Sequence, residues 1–331
     1  MIRIALDAMG GDVAPAVPVE GALAAAEELP PSSEIVLVGR QAEITRALAA
    51  HGAPPDRFPI VDAPDVVGMG EKPLAAVRGK PKSSIGLGLG LQKRGDAQAF
   101  ISAGNTGAVM AASTLLLGLH AGVERPAIGM LFPTGGQPVL VLDGGANVDC
   151  SPRELQGFAY IGAVYARDVL GRPAPTVGLL NIGEEAEKGN AAVKEANALL
   201  QHSTHFQFVG NVEGRDILAG KCDVVVCDGF VGNVVLKFYE SVARLFVKLL
   251  EREVGREALA SEGMQRAFKV LDYSEYGGAP LLGIRGVSII CHGSSTPRAI
   301  KNAIHVALQS VQSHLSQHIG AEFAGGGEAV A

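Results

Sequence analysis

The chain has 331 residues, a net charge of −6, 43 glycines and no tryptophan. That length buries a core without disulfide or metal staples. The glycine- and aliphatic-rich composition does not suggest disorder, and the negative charge argues against general nucleic-acid binding.

Strands are predicted at Ile2–Leu6, Ile35–Val38, Ala97–Ser102, Val139–Leu142, Thr176–Leu180, Phe206–Val209, Asp223–Cys227 and Val287–Cys291. Several are continuous Val/Ile/Leu runs, as expected when both faces of a sheet are covered. A Gly/Asn/Asp/Ser loop and a helical segment follow most of them, with no run of hairpin signals between, so the fold class is α/β with a mostly parallel sheet. Helix starts are legible at Ser151-Pro152-Arg153-Glu154, a capping box with Pro in the first turn, and at Thr296-Pro297. Ile300, Ile304, Ala307, Leu308, Val311 and Leu315 then form one apolar stripe at helical spacing, which reads as core. His314 and His318 share a helix face, but the Ser and Gln around them favour a solvated surface over a metal pair.

The longest helical stretch runs from Asn233 to Tyr276, with apolar positions interleaved with Lys237, Arg244, Lys248, Arg252 and Arg256. Residues 1–320 read as a single α/β/α catalytic domain, with a helical projection at about 237–276 and a disordered tail at 321–331. Cys150, Cys222, Cys227 and Cys291 lack C-x-x-C spacing and read as buried thiols of a reducing compartment. No leader pattern and no bilayer-length apolar run is present, so the expected location is cytoplasmic.

In parallel sheets, ligands bind beyond the carboxyl ends of the strands, where helix N-termini offer free N–H groups. Polar loops follow six strands here: Asp7 to Asp12, Ala103 to Gly107, Asp143 to Asn147, Asn181 to Lys188, Gly210 to Arg215 and Asp228 to Asn233. Any one of them is ordinary turn and cap chemistry; together they favour an anion site. Nucleotide signatures fail. Gly86-Leu87-Gly88-Leu89-Gly90-Leu91 lacks the last glycine of a dinucleotide fingerprint, Gly79-Lys80 runs into Pro81, and no G-x-S-x-G elbow occurs. Arg78, Lys80, Lys82, Ser83 and Ser84 suit a phosphate or an acidic partner as well as they suit a solvated basic turn.

The motifs Asp7–Asp12 (DAMGGD), Lys82–Ile85 (KSSI), Ser102–Ala108 (SAGNTGA), Leu142–Asp149 (LDGGANVD), Gly178–Gly189 (GLLNIGEEAEKG), Phe208–Ile217 (FVGNVEGRDI), Asp223–Asn233 (DVVVCDGFVGN) and Tyr276–Gly283 (YGGAPLLG) resemble the PlsX family. These are the bacterial acyl-acyl-carrier-protein:phosphate acyltransferases, and the resemblance runs in order from Asp7 to about Ile304. It implies an α/β/α sandwich similar to phosphotransacetylases and isopropylmalate dehydrogenases. It also implies attack of inorganic phosphate on a long-chain acyl carrier protein thioester, giving acyl phosphate for phospholipid synthesis. Partners implied are acyl carrier protein, a second copy in a homodimer, the inner face of the cell membrane by peripheral association, and a membrane glycerol-3-phosphate acyltransferase.

Such phosphorolysis needs little acid/base help, because phosphate is already anionic and a thiolate of pKa near ~8.5 leaves readily. Positioning and oxyanion stabilisation should dominate. The catalytic candidates are Lys82, Ser83, Asn105, His292 and Asp228. Those for phosphate or substrate are Asp7, Gly10, Gly11, Gly104, Thr106, Asn147, Asn181, Lys188, Asn211, Arg215, Gly232 and Asn233. No cofactor is expected; Mg²⁺ gathered by Asp7, Asp143 and Asp228 is the minority alternative. Helical packing or a dimer interface is the favoured role of the stretch from Asn233 to Tyr276; contact of its distal part, with Leu259, Met264, Phe268 and Leu271, with anionic lipid is the alternative that the family's membrane association suggests. The competing functions are a phosphotransacetylase-like enzyme using acyl-CoA, a metal- and NAD-dependent decarboxylating dehydrogenase for which no Arg clamp can be assembled, and a membrane-surface scaffold that only binds carrier protein.

Overall fold

The computed structural model describes residues 1–259, 261–264 and 276–325. Their contacts cluster into two compact units rather than one, the first formed by Met1–Pro126 with the chain from Tyr276 onward, the second by Ala127–Glu275. Labels below follow chain order.

The first unit contains β1 (Ile2–Asp7), α1 (Ala16–Ala26), β2 (Ser33–Gly39), α2 (Gln41–Ala50), β3 (Ile60–Asp62), α3 (Pro73–Gly79), α4 (Ser84–Arg94), β4 (Ala99–Ser102) and α5 (Thr106–Leu117). From the C-terminal part of the chain it adds β11 (Ala279–Leu282), β12 (Val287–Ile290), α10 (Pro297–Gln312) and α11 (Leu315–Gly325). Its strands lie in the order β3-β2-β1-β4-β12-β11. All neighbours are parallel except β11, which runs against β12 with Ala279 opposite Ile290. Ile4, Leu6, Ile35, Leu37, Ile101 and Ile289 are almost wholly buried and meet Val19, Ala22, Ile300 and Ile304 of the covering helices. Each large side chain buried this way is worth about 1.5–3 kcal/mol. The failed dinucleotide run serves packing: it is α4, whose Gly88 seats against the Phe100 ring. Helix α11 continues to Gly325, past the start of the expected tail, because Leu315 and Ile319 are buried and Phe323 packs on Gly122.

The second unit contains β5 (Ala127–Ile128), β6 (Met130–Phe132), β7 (Val139–Leu142), α6 (Pro152–Asp168), β8 (Thr176–Leu180), α7 (Ala191–Leu200), β9 (Gln207–Val212), α8 (Gly214–Ala219), β10 (Val224–Val226) and α9 (Gly229–Leu259). Its sheet runs β6-β7-β10-β8-β9 and is parallel except at β6. Ser151 and Glu154 form the expected capping box on α6. Helix α9 begins at Gly229, before the expected Asn233, and is interrupted at Gly255, whose φ is 79°. Tyr239 packs edge-on against Phe132, and buried Glu240 takes Lys237 at 3.2 Å and Arg244 at 3.6 Å. Val234, Phe238, Val242, Leu245, Phe246 and Leu249 are left exposed within the single chain. Of the candidate lipid contacts, Phe268 and Leu271 lie outside the described residues. No described helix is long and apolar enough to cross a membrane.

Candidate functional site

In the first unit, β1, β4 and β12 are adjacent and parallel, so their carboxyl ends and following loops converge. Asp7 closes β1 and is buried. Its Oδ2 accepts the Ser102 hydroxyl at 2.6 Å across the sheet, its Oδ1 accepts Met9 N–H at 2.9 Å, and Ser84 and Gly10 also donate to it. Burial pushes its pKa up from 3.8, against the downward pull of those donors. Ser102 Oγ in turn accepts Gly104 N–H at 3.0 Å. A Cβ at Gly10 would lie 2.6 Å from Gly104 N, so only glycine lets the β1 and β4 loops touch here. Asp12 N–H donates to Gly293 O at 2.8 Å, joining the β12 loop to Gly11 and its neighbours.

Asn105 caps α5, its Oδ1 accepting Ala108 N–H at 3.0 Å. Its Nδ2 is also engaged, donating to the carbonyls of Gly68, Met69 and Glu71 at 3.3, 3.0 and 3.1 Å. The amide is therefore committed to holding backbone. Thr106, first in α5, is exposed, and within the described residues neither its N–H nor that of Gly107 has an acceptor. Ser83 is buried and caps α4 through Gly86 N–H at 3.2 Å, while Lys82 beside it is exposed. His292 is exposed; its Nδ1 lies 2.7 Å from Ser294 Oγ and accepts Ser294 N–H at 3.3 Å. With Nδ1 accepting, the ring proton sits on Nε2, which is left to donate.

The second unit repeats the scheme at β7 and β10. Asp143 follows β7 and is fully buried. Oδ1 accepts N–H from Ile128, Gly145 and Ala146 at 2.9, 3.2 and 3.1 Å; Oδ2 accepts Asn147 N–H and Nδ2 at 2.7 and 2.9 Å. Burial pushes this carboxyl above 3.8 as well. Asn147 O accepts Gly229 N–H at 2.7 Å, and a Cβ at Gly232 would land on the Asp143 carbonyl, so α9 starts directly on the β7 loop. Asp228 Oδ1 accepts Val231 N–H at 2.8 Å in the first turn of α9, and the exposed Asn233 side chain lies beside Gly145.

At β8 and β9 the asparagines again hold loops. Asn181 Nδ2 donates to Lys188 O at 3.0 Å, and buried Asn211 Nδ2 donates to Glu185 O at 2.8 Å while its Oδ1 accepts Asn197 Nδ2 at 2.8 Å. Lys188 is exposed, and Arg215 points to Glu213 at 3.2 Å with most of its side chain in solvent.

The candidate residues thus divide. Asp7, Gly10, Gly11, Lys82, Ser83, Gly104, Asn105, Thr106 and His292 belong to the first unit, and Asn147, Asn181, Lys188, Asn211, Arg215, Asp228, Gly232 and Asn233 to the second. Sequence reasoning missed Ser84 and Ser102 as partners of Asp7, and the grip of Asn105 on residues 68–71; a hydroxyl 95 positions away carries no local signal. Among the described residues, no group of three or more His, Cys, Asp or Glu is arranged to hold a metal ion. Burial pushes Cys222 and Cys291 to about 12, so neither is a reactive thiolate.

The sequence model of the family described as fatty acid synthesis protein matches residues 2–318. A phosphate acyltransferase of Desulforamulus reducens is 51% identical over 321 residues, covering 95% of each chain. That of Thermosynechococcus vestitus is 49% identical, covering 96% of this chain and 94% of its own. The chain belongs to the PlsX family of phosphate acyltransferases. It is an acyltransferase. Among solved structures, a phosphotransacetylase from Streptococcus pyogenes matches with a TM-score of 0.63 at 16% identity over 94% of each chain, a likeness of fold.

Proposed function

We propose that this acyltransferase moves a long-chain acyl group from the thioester of acyl carrier protein to inorganic phosphate. A phosphate oxygen attacks the thioester carbonyl, the C–S bond breaks, and the departing thiolate takes up a proton to give acyl phosphate and free carrier protein. The observation that carries the reading is the first turn of α5. Thr106 and Gly107 present N–H groups that have no acceptor among the described residues, at the positive end of a helix capped by Asn105 and approached by the β1 loop. His292 Nε2, on the adjoining loop, serves as donor to the sulfur or the oxyanion. Lys82 adds an exposed cation at the surface. The oxygens of Asp7 and Asp143 are occupied by N–H and O–H donors, which supports a reaction without a resident metal. Activity undiminished by exhaustive chelation is the expected result.

The exposed apolar face of α9 is the surface for a second copy of this chain, and the cations Lys237, Arg244, Lys248 and Arg252 interleaved along that helix suit a cytoplasmic enzyme that visits anionic membrane, where a glycerol-3-phosphate acyltransferase would consume its product. Incubation with palmitoyl-acyl carrier protein and phosphate, followed by mass detection, should yield palmitoyl phosphate. A preference for palmitoyl-CoA would instead make the enzyme phosphotransacetylase-like, and no product from either donor would overturn the reading.

A further inference from the structure

Residues Val66 to Glu71 form a strap held by polar bonds more than by a core. Val67 is buried, whereas Met69 is half exposed and Gly70 lies open. Glu71 Oε1 accepts Gly68 N–H at 2.6 Å, closing the strap on itself. Lys80 Nζ donates to that same oxygen at 2.6 Å and to Val66 O at 2.8 Å, pinning both ends. Asn105 Nδ2 holds the carbonyls of Gly68, Met69 and Glu71 from the other side. At its start, Asp65 O accepts Ser84 N–H at 3.3 Å.

A helix cap needs only the Oδ1 of Asn105. The other half of the amide makes the strap's position and the first turn of α5 a single rigid unit. The strap also reaches the β12 loop: a Cβ placed on Gly293 would lie 3.1 Å from Met69 Cε, one residue from His292. The same six residues therefore touch both the loop that offers Thr106 and Gly107 N–H and the loop that carries His292.

We propose that the Val66 to Glu71 strap, locked by Lys80, Glu71 and Asn105, sets the spacing of the α5 and β12 loops for phosphate, with Lys80 and Glu71 acting as positioning residues. The inference rests on the proposed reaction. Lys80→Met unlocks both ends of the strap, and Lys80→Arg keeps donors for both. In Lys80→Met the phosphate KM should rise about tenfold, since displacements near 1 Å carry effects of up to about 10². The palmitoyl-acyl carrier protein KM should change less, amide exchange in residues 66–71 should quicken, and Lys80→Arg should restore the phosphate KM. Glu71→Gln, which keeps an oxygen for Gly68 and Lys80, should show a smaller rise and serves if Lys80→Met does not fold. Wild-type phosphate KM in folded Lys80→Met or Glu71→Gln with faster exchange at 66–71 overturns the proposal, as does exchange that does not quicken. If wild type forms no palmitoyl phosphate, the reaction reading fails and the proposal with it. Quickened exchange would then still establish the lock itself, so the two failures are distinguishable.

Discussion

Asp7 and Asp143 occupy equivalent places in the two units: each is buried, ends a parallel strand and precedes a glycine-rich loop. Their partners differ in kind. Asp7 ties β1 to β4 through the hydroxyl of Ser102 and to α4 through that of Ser84, groups that rotate and can either donate or accept. Asp143 gathers the Asn147 side-chain amide and four backbone N–H groups, and the backbone groups cannot turn their protons away. The first is an adaptable tie between neighbours, the second a mould that shapes one loop.

The largest effect expected from this difference is in Asp143→Asn. Whichever way the new amide turns, its NH₂ faces at least one fixed backbone N–H and both donors go unsatisfied, and each unsatisfied group costs about 1–3 kcal/mol, so roughly 2–6 kcal/mol of stability should be lost in denaturant titration. Asp7→Asn should cost less, about 1 kcal/mol, because Ser102 can reverse its hydroxyl to accept from the new NH₂. Equal losses in the two variants would dissolve the contrast. Asn105→Ser is expected to keep the α5 cap within a few tenths of a kcal/mol of its worth while dropping the strap, so activity should fall more than stability, seen by comparing melts with initial rates.

The smallest effect is in pH dependence. Burial raises Asp7 above 3.8, so the folded protein binds its proton before the unfolded chain does. This carboxyl therefore favours folding most at low pH, and that advantage is lost as pH rises through the raised value. The Asp7→Asn deficit should accordingly be larger near pH 4 than at pH 7. Glu71 runs the other way: its bond to Lys80 holds it below 4.5, so its contribution is present above 4.5 and fades as pH falls through the lowered value.

Much of this was legible beforehand where the physics is local. Strands β7 and β8 end where their Val/Leu runs end, and the caps Ser151 and Thr296 behave as their sequence spacing predicts. What escaped was non-local or short. Strands β5 and β6 have two and three residues, and β11 runs antiparallel despite Pro280, so no periodicity announces them. The asparagines were picked out for the right loops, yet Asn105 and Asn211 spend their amides on backbone carbonyls drawn from 26 to 37 positions away, a use that only tertiary structure reveals.

Strand β12 pairs with β4 on one side and β11 on the other, although β4 and β12 are separated in sequence by the whole second unit. During synthesis from the N-terminus, β4 must wait with one edge unpaired until residues 287–290 have emerged. The first unit is thus started early and finished late, and an open edge next to Asp7 and Ser102 is the point at which a nascent chain is most exposed to mispairing.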